Sequence, residues 1–213
     1  MSNAHQFVKL PSGNIRSARG RLAYTQNVFT PAAMKNDDGT PQLDKNGKPV
    51  LKHQVTIVFP KNTDFSLLQA EIEKTAIAKW GEDYKKKVGV KKPFLKTEDY
   101  PKMGFDPEEF PVFIRLSCGD DRPPQIARAD KTLVTAAQAS DVYSGRWAYV
   151  SLNTYATQHP KGGARVSAGW ANLQLLDHDE PVGGAPRVAA DEEFEAVETT
   201  EAGNGSASDM FDD

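Results

Sequence analysis

The sequence predicts a mainly β fold, a small and partly open barrel of five strands with one inserted helix. Five segments alternate apolar with polar residues, or are rich in β-branched and aromatic residues, as β-strands are. One segment repeats its apolar residues at helical spacing. Turn-forming Gly, Pro, Asn and Asp residues separate these segments.

The chain of 213 residues has room for one domain of ordinary size plus disordered ends. Composition predicts a flexible arm over 1–15, a folded domain over 16–184 and a disordered acidic tail over 185–213. No segment has the roughly 20 apolar residues of a membrane span, and the N-terminus lacks the apolar core of a signal peptide. We therefore expect a cytoplasmic protein without a membrane partner. The single cysteine, Cys118, fits a reducing compartment.

The net charge of −3 conceals a basic body and an acidic C-terminus. Residues 177–213 contain twelve acidic residues and one basic residue, whereas residues 1–176 contain 25 Lys and Arg against 17 Asp and Glu. A body with a balance of +8 predicts a polyanionic partner, because cationic side chains release the counterions condensed on phosphates. A solvated surface with a solubilising tail explains the same charges equally well.

The first strand is predicted over 20–29 and the second over 53–59, where β-branched residues alternate with polar ones. Between them, Asp38-Gly39 and Asn46-Gly47 predict turns, so this stretch is a hairpin tip or a mobile loop.

A helix is predicted over about 64–80. Thr63 or Asp64 caps it by accepting hydrogen bonds from the free N–H groups of the first turn, and Gly81 ends it. The apolar residues that share one face of this helix are Phe65, Leu68, Ile72 and Ala76.

Residues 82–107 are basic and irregular, and three further strands are predicted over 110–118, 145–156 and 165–176. Five strands with an inserted helix indicate an OB-like barrel. The usual helix of that fold lies between the third and fourth strands, whereas this one lies between the second and third. Extra strands in 1–50 or 82–107 would reconcile the count.

The fourth strand has two different faces, since alternate residues of a strand share a side. Ala148, Val150 and Leu152 form an apolar face suited to a barrel core. The opposite face consists of Trp147, Tyr149, Ser151, Asn153 and Tyr155. Aromatic rings interleaved with small polar groups favour the stacking of successive bases. Packing under a long loop, or a subunit interface, is the alternative.

The third strand repeats this arrangement, with Phe113, Arg115 and Ser117 on the outer side. Its inner side consists of Val112, Ile114, Leu116 and Cys118. Basic and aromatic residues elsewhere complete an electrostatic groove. The candidate DNA-binding residues are Arg21, Tyr24, Lys85, Lys87, Phe113, Arg115, Arg146, Trp147, Tyr149 and Tyr155.

Signatures of catalysis and metal binding are missing from the sequence. The four histidines are scattered, no second ligand stands at metal spacing, and Cys118 is predicted on the core side of its strand. Paired aspartates such as Asp120-Asp121 fall in predicted turns, where they are ordinary turn formers. We therefore expect no enzyme, cofactor or metal, and a nuclease is the disfavoured alternative.

The chain resembles the single-stranded-DNA-binding proteins encoded by tailed bacteriophages, and the likeness runs over most of residues 18–184. The fragments that carry it, in order, are Gly20-Arg-Leu-Ala-Tyr24, Phe29-x-Pro31, Phe59-Pro-Lys61, Lys79-Trp-Gly81, Arg122-Pro-Pro124, Val142-Tyr-Ser-Gly-Arg146, Asn172-Leu-Gln-Leu175 and Gly183-Gly184. The resemblance implies an OB-type barrel that binds single-stranded DNA during phage replication, recombination or repair in the host cytoplasm.

The C-terminus also looks like the acidic tails of replication single-strand binders. Its last residues, with Asp209, Phe211, Asp212 and Asp213, are predicted to dock on replication or recombination proteins. The sequence leaves other readings open. The same basic face is compatible with duplex binding or strand annealing, the aromatic face with a protein partner, and the chain with a homo-oligomer.

Overall fold

The computed structural model describes residues 4–36, 38–87, 89–159 and 162–183, which belong to one compact unit. Its helices are α1 (Ser66–Trp80) and α2 (Tyr84–Lys87). Its ten strands are β1 (Val8–Lys9), β2 (Ile15–Arg16), β3 (Gly20–Ala23), β4 (Ala32–Ala33), β5 (Leu51–Phe59), β6 (Phe94–Lys96), β7 (Val112–Gly119), β8 (Gln125–Ala127), β9 (Trp147–His159) and β10 (Gly163–Leu175). The tail residues Asp209, Phe211, Asp212 and Asp213 lie outside the described residues, as does the side chain of Lys87.

Five of these strands close into a ring, which confirms the predicted OB-like architecture. Strand β3 pairs with β5, β5 with β7, β7 with β10, β10 with β9, and β9 returns to β3. Each predicted strand overlaps one strand of the ring. The extra strands expected in 1–50 or 82–107 are β1, β2, β4 and β6, whereas β8 lies outside both ranges and was not predicted.

The ring is held unevenly around its circumference. Strands β9 and β10 pair antiparallel over their whole length, with a bulge between Trp170 and Asn172. By contrast β7 meets β10 in parallel through the single pair Ser117 and Gly169. This seam brings the outer face of β7 beside that of β10 and β9.

The ring is filled by the inward side of its strands, and α1 packs against β9 and β10. Leu68, Ile72 and Ala76 of the predicted helix face are buried. Asp64 accepts a hydrogen bond of 2.9 Å from the backbone N–H of Ser66, a free donor of the first turn, although the N-cap position itself is Phe65 rather than the predicted Thr63 or Asp64. Gly81 follows the helix with φ of 83°, a value that favours glycine.

A second apolar cluster lies on the outside of the ring. It consists of Ala23, Val58, Met103, Phe105, Phe110 and Phe113, with partly buried neighbours that include Trp147 and Val182. Residues 94–110 supply half of it and lie over β3, β5 and β7. Part of the outward side of these strands is therefore core.

Residues 4–15 do not form the loose arm that their composition predicts. Phe7 is only 4% exposed, and its ring centroid lies 5.4 Å from that of Phe59. Strand β2 pairs with β9 through Ile15 and Leu152. The few apolar residues of this short segment bury enough surface to hold it against the barrel. The average composition of residues 1–15 is polar and does not reveal them. No helix among the described residues is long and apolar enough to cross a membrane.

Candidate nucleic-acid interface

The outer face of β9 carries the row of aromatic and small polar residues that alternation predicts. Ala148, Val150 and Leu152 are fully buried inside the ring. Between them the side chains that point outward are Trp147, Tyr149, Ser151, Asn153 and Tyr155, which range from half-buried to exposed. The two faces of the strand are therefore assigned correctly from the sequence.

Tyr149 lies under a cation. The Arg16 guanidinium carbon is 4.3 Å from the centroid of the Tyr149 ring, within the range of a cation–π contact. The pairing of β2 with β9 places Arg16 opposite Ser151 and so fixes this position. The guanidinium covers one face of the Tyr149 ring, as Arg19 covers Trp147, so this point of the strand offers a cation beside a ring rather than an open ring face.

Tyr155 is the exposed aromatic of the row, at 38% of its surface. Gly169 of β10 lies opposite Asn153, and a Cβ at Gly169 would collide with the Asn153 amide oxygen and lie 3.5 Å from the Tyr155 ring. Glycine therefore leaves this part of the outer face flat, which gives a planar base access to the Tyr155 ring.

The same face continues across the seam to β7. Ser117 is level with Gly169, and Arg115 stands two residues before it on the same side of its strand. The exposed Arg115 guanidinium lies 4.7 Å from the centroid of the Tyr100 ring. Sequence reasoning named Arg115 but missed Tyr100, which lies between two short 3₁₀ segments and therefore outside any strand alternation.

Trp147 is in a different situation from Tyr155. Its ring packs against the second apolar cluster, and the Arg19 guanidinium lies 4.3 Å from its centroid. Its indole N–H donates a hydrogen bond of 2.7 Å to Asp179. Both the face and the edge of this indole are thus occupied by the chain itself.

The acidic strap, as we name residues 177–182, crosses the arginines that precede and begin β3. Asp177 pairs with Arg19 at 2.8 Å and Asp179 with Arg21 at 3.4 Å. Arg21 is 12% exposed and donates to the Glu180 carbonyl at 2.7 Å. The strap therefore occupies the cations that would otherwise face a polyanion.

A glycine cradle holds the strap. Gly145 has φ of 107°, and a Cβ there would collide with the Glu180 carbonyl oxygen and lie 2.9 Å from the Val182 nitrogen. The Val182 N–H donates to the Ser144 carbonyl at 2.8 Å. The strap approaches this turn so closely that only glycine fits beneath it.

The strap lowers the pKa of the Asp179 carboxyl below its ordinary value. The largest cause is the backbone N–H of Glu180, which donates to this carboxylate at 2.8 Å. The hydrogen bond from Trp147 and the charges of Arg21 and Arg19 lower it further. The carboxylate is thus stabilised in its charged form, as a group held against cations should be.

Two predicted site residues are buried and have structural surroundings. Phe113 has no exposed surface and meets Tyr100 edge to face at 5.1 Å, because residues 94–110 cover the outer side of its strand. Arg146 is 5% exposed, donates to the Leu176 carbonyl at 2.9 Å and contacts the His178 ring. Neither residue, so placed, offers a surface to a nucleic acid.

The remaining candidates lie apart from the row. Tyr24 is 37% exposed. Arg21 pairs with Trp147, the first residue of β9, and the two strands are antiparallel. Tyr24, three residues after Arg21, therefore lies beyond the beginning of β9. Lys85 pairs with Glu73 at 2.5 Å. Lys87 ends α2, and its side chain lies outside the described part of the structure.

The family profile described as "Enterobacter phage Enc34, ssDNA-binding protein" matches residues 14–204 of the chain. The chain belongs to this family of single-stranded-DNA-binding proteins. The resemblance inferred from the sequence is therefore confirmed. No curated protein sequence matches the chain.

Solved structures of the bacteriophage Enc34 single-stranded DNA-binding protein share the fold of the family member described here. Its complex with single-stranded DNA superposes with a TM-score of 0.61 at 17% identity, over 86% of this chain and 97% of that chain. A second structure of the Enc34 protein gives 0.61 at 19% identity, over 91% and 97%. At these identities the likeness concerns the fold alone.

Proposed function

We propose that this chain binds and protects single-stranded DNA, without reading its sequence, in phage DNA replication, recombination or repair. The observation that carries the proposal is the continuous outer face from Arg115 and Tyr100, across Ser117 and Gly169, to Tyr155. Stacking of one base on one aromatic ring contributes about 1–3 kcal/mol and is indifferent to base identity.

Single strands would be preferred because a duplex keeps the faces of its bases in its own stack. Arg16 above Tyr149 and Arg115 above Tyr100 place a cation beside each ring, where a phosphate of the bound strand can pair with it. Each phosphate neutralised on a single strand contributes about −0.7 to the slope of log K against log salt. The proposed activity needs no catalytic group, metal or cofactor, and its setting is the cytoplasm of the infected host.

The acidic C-terminus would regulate this face and recruit partners. The strap already places Asp177 and Asp179 on Arg19 and Arg21, and residues 185–213 carry nine further acidic residues against Arg187. We propose that this tail competes with DNA for the basic face, and that its end around Phe211 docks on replication or recombination proteins. Deletion of residues 187–213 should then tighten DNA binding, and an unchanged affinity would remove the competition.

The decisive experiment is fluorescence anisotropy with labelled dT oligonucleotides and a matched duplex at two salt concentrations. The wild type is compared with Tyr149→Ala plus Tyr155→Ala, and separately with Trp147→Ala plus Tyr149→Ala. Salt-sensitive binding of the single strand, weakened by loss of Tyr149 and Tyr155, supports both the function and the face.

The other outcomes separate the competing functions. Equal affinity for single and double strands would indicate an annealing or duplex-binding protein. Binding that neither double substitution weakens would retain the function and reject the site. No binding of the wild type at low salt would reject the DNA-binding proposal and favour a protein ligand, and cleavage of the probe with magnesium would indicate a nuclease.

A further inference from the structure

A cleft of about 450 Å³ opens between α1, the turn that joins β1 to β2, and one edge of β9. It exists because β2 pairs with β9 only through Arg16 and Ile15. Beyond Leu152 the described chain places no strand on this side of β9, although β10 continues on the other side. The residues that line it include Lys9, Lys74, Thr75, Lys79, Asn153 and Ala156.

The cleft is positively charged. Lys74 and Lys79 are exposed on α1, and neither forms an ion pair with a carboxylate of the described residues. Glu71 is the acidic residue of the lining, and Lys9 neutralises it at 2.7 Å. Two cations are therefore left to attract an anionic chain.

The cleft borders the outer face at the free edge of β9, where Asn153 belongs to the outer face and the lining residues Thr154 and Ala156 belong to the opposite side of the strand. Ser117, Gly169 and Asn153 are paired across three neighbouring strands, so they lie in a line perpendicular to those strands at steps of about 4.8 Å. The next step beyond Asn153, on the side away from β10, is the cleft. Tyr155 stands beside this line, two residues further along β9.

We propose that this cleft holds the phosphodiester backbone of single-stranded DNA where the strand leaves the aromatic face. Lys74 and Lys79 contact phosphates on one wall, and Asn153 supplies a polar contact at the entrance. This inference rests on the proposed function and extends it. It assigns the path of the DNA strand across the barrel and two phosphate-binding lysines that no local motif indicates.

The test compares Lys74→Gln plus Lys79→Gln with a matched control, Lys61→Gln plus Lys131→Gln. Both pairs remove two charges from exposed lysines, and neither control residue lines the cleft. Glutamine is a good helix former, so α1 should be retained, which circular dichroism verifies. Affinity for a long dT oligonucleotide is measured from low to high salt by anisotropy.

The expected result is weaker binding by the cleft variant, with a salt slope shallower by about 1.4, the contribution of two phosphates. Equal slopes for the cleft variant and the control would overturn the cleft assignment, while binding by the wild type would leave the proposed function intact. Tighter binding by the cleft variant would also overturn it, and would indicate that the cleft seats an acidic peptide. Failure of the wild type to bind would reject the proposed function itself.

Discussion

The indole Nε1–H of Trp147 donates a hydrogen bond of 2.7 Å to the carboxylate of Asp179, 32 residues further along the chain. Arg19 covers the face of the same indole at 4.3 Å. A base can stack on Trp147 only after both groups have moved, whereas Tyr155 is already exposed. The two aromatic residues of one strand face therefore have different accessibility.

Neutralising the strap should free the cations that it holds. In Asp177→Asn plus Asp179→Asn, the amides retain hydrogen-bonding capacity but no longer carry the negative charges that pair with Arg19 and Arg21. We expect tighter binding of single-stranded DNA, with a salt slope steeper by about 1.4 if both arginines then contact phosphates. Salt titrations by anisotropy measure this slope. Asp120→Asn plus Asp121→Asn, in the turn after β7, is the control of equal charge, and equal behaviour of the two variants would contradict the prediction.

Tyr155→Ala should weaken binding much more than it weakens the fold. The side chain is 38% exposed and belongs to neither apolar cluster, so its truncation should lower the free energy of unfolding by only about 1 kcal/mol. Loss of one stacked base should cost about 1–3 kcal/mol of binding free energy. Chemical denaturation and anisotropy give the two quantities. Wild-type affinity in a normally folded variant would exclude Tyr155 from the interface.

Phe113→Ala should have the opposite effect. This ring is fully buried in the second apolar cluster, and its removal leaves a cavity that should lower the free energy of unfolding by about 3–5 kcal/mol. Urea denaturation measures the loss. The folded fraction should bind DNA with wild-type affinity. A variant of normal stability that binds DNA weakly would instead show that Phe113 belongs to the binding site.

Gly145→Ala should displace the strap. The new Cβ would collide with the Glu180 carbonyl, and the positive φ adds backbone strain of order 1–3 kcal/mol. Limited proteolysis should then cut within residues 177–183 faster than in the wild type. Gly47→Ala is the matched control, because Gly47 also has positive φ but no atom within 4 Å of the added Cβ. Equal rates of cleavage within residues 177–183 in the two variants would show that the collision with Glu180 does not displace the strap.

Acid should release Trp147 from the strap. The pKa of Asp179 is lower in the folded protein than its ordinary value near 3.9, so its contribution to stability is complete above about pH 4. That contribution is lost as the pH falls from the ordinary value through the lowered one, because in this range the unfolded state binds a proton that the folded state does not. The NMR signal of the Trp147 indole N–H should shift in this range. A midpoint at or above the ordinary value would contradict the assignment, and Asp179→Asn should abolish the transition.

Local patterns were sufficient for the ring strands, the main helix and the two faces of β9. Alternation placed Phe113 correctly on the outer side of its strand, but it contains no information about residues 94–110, which bury that side. The same limit applies to Arg21, whose partner Glu180 is 159 residues away. The row around Tyr155 was predictable because strand geometry alone determines it, whereas the strap and the cleft depend on how distant segments meet.

The one-residue seam between β7 and β10 has a consequence for synthesis of the chain on the ribosome. Strands β3, β5 and β7 are complete at Gly119, yet the ring cannot close until the chain has been made as far as Leu175. At about 5–20 residues per second, those 56 residues take roughly 3–11 seconds. During this interval the nascent sheet exposes residues 115–119 of β7, the part of its edge that β6 does not cover, to other chains. The long β9–β10 hairpin, whose pairing is local, can form quickly and end that exposure as soon as it emerges.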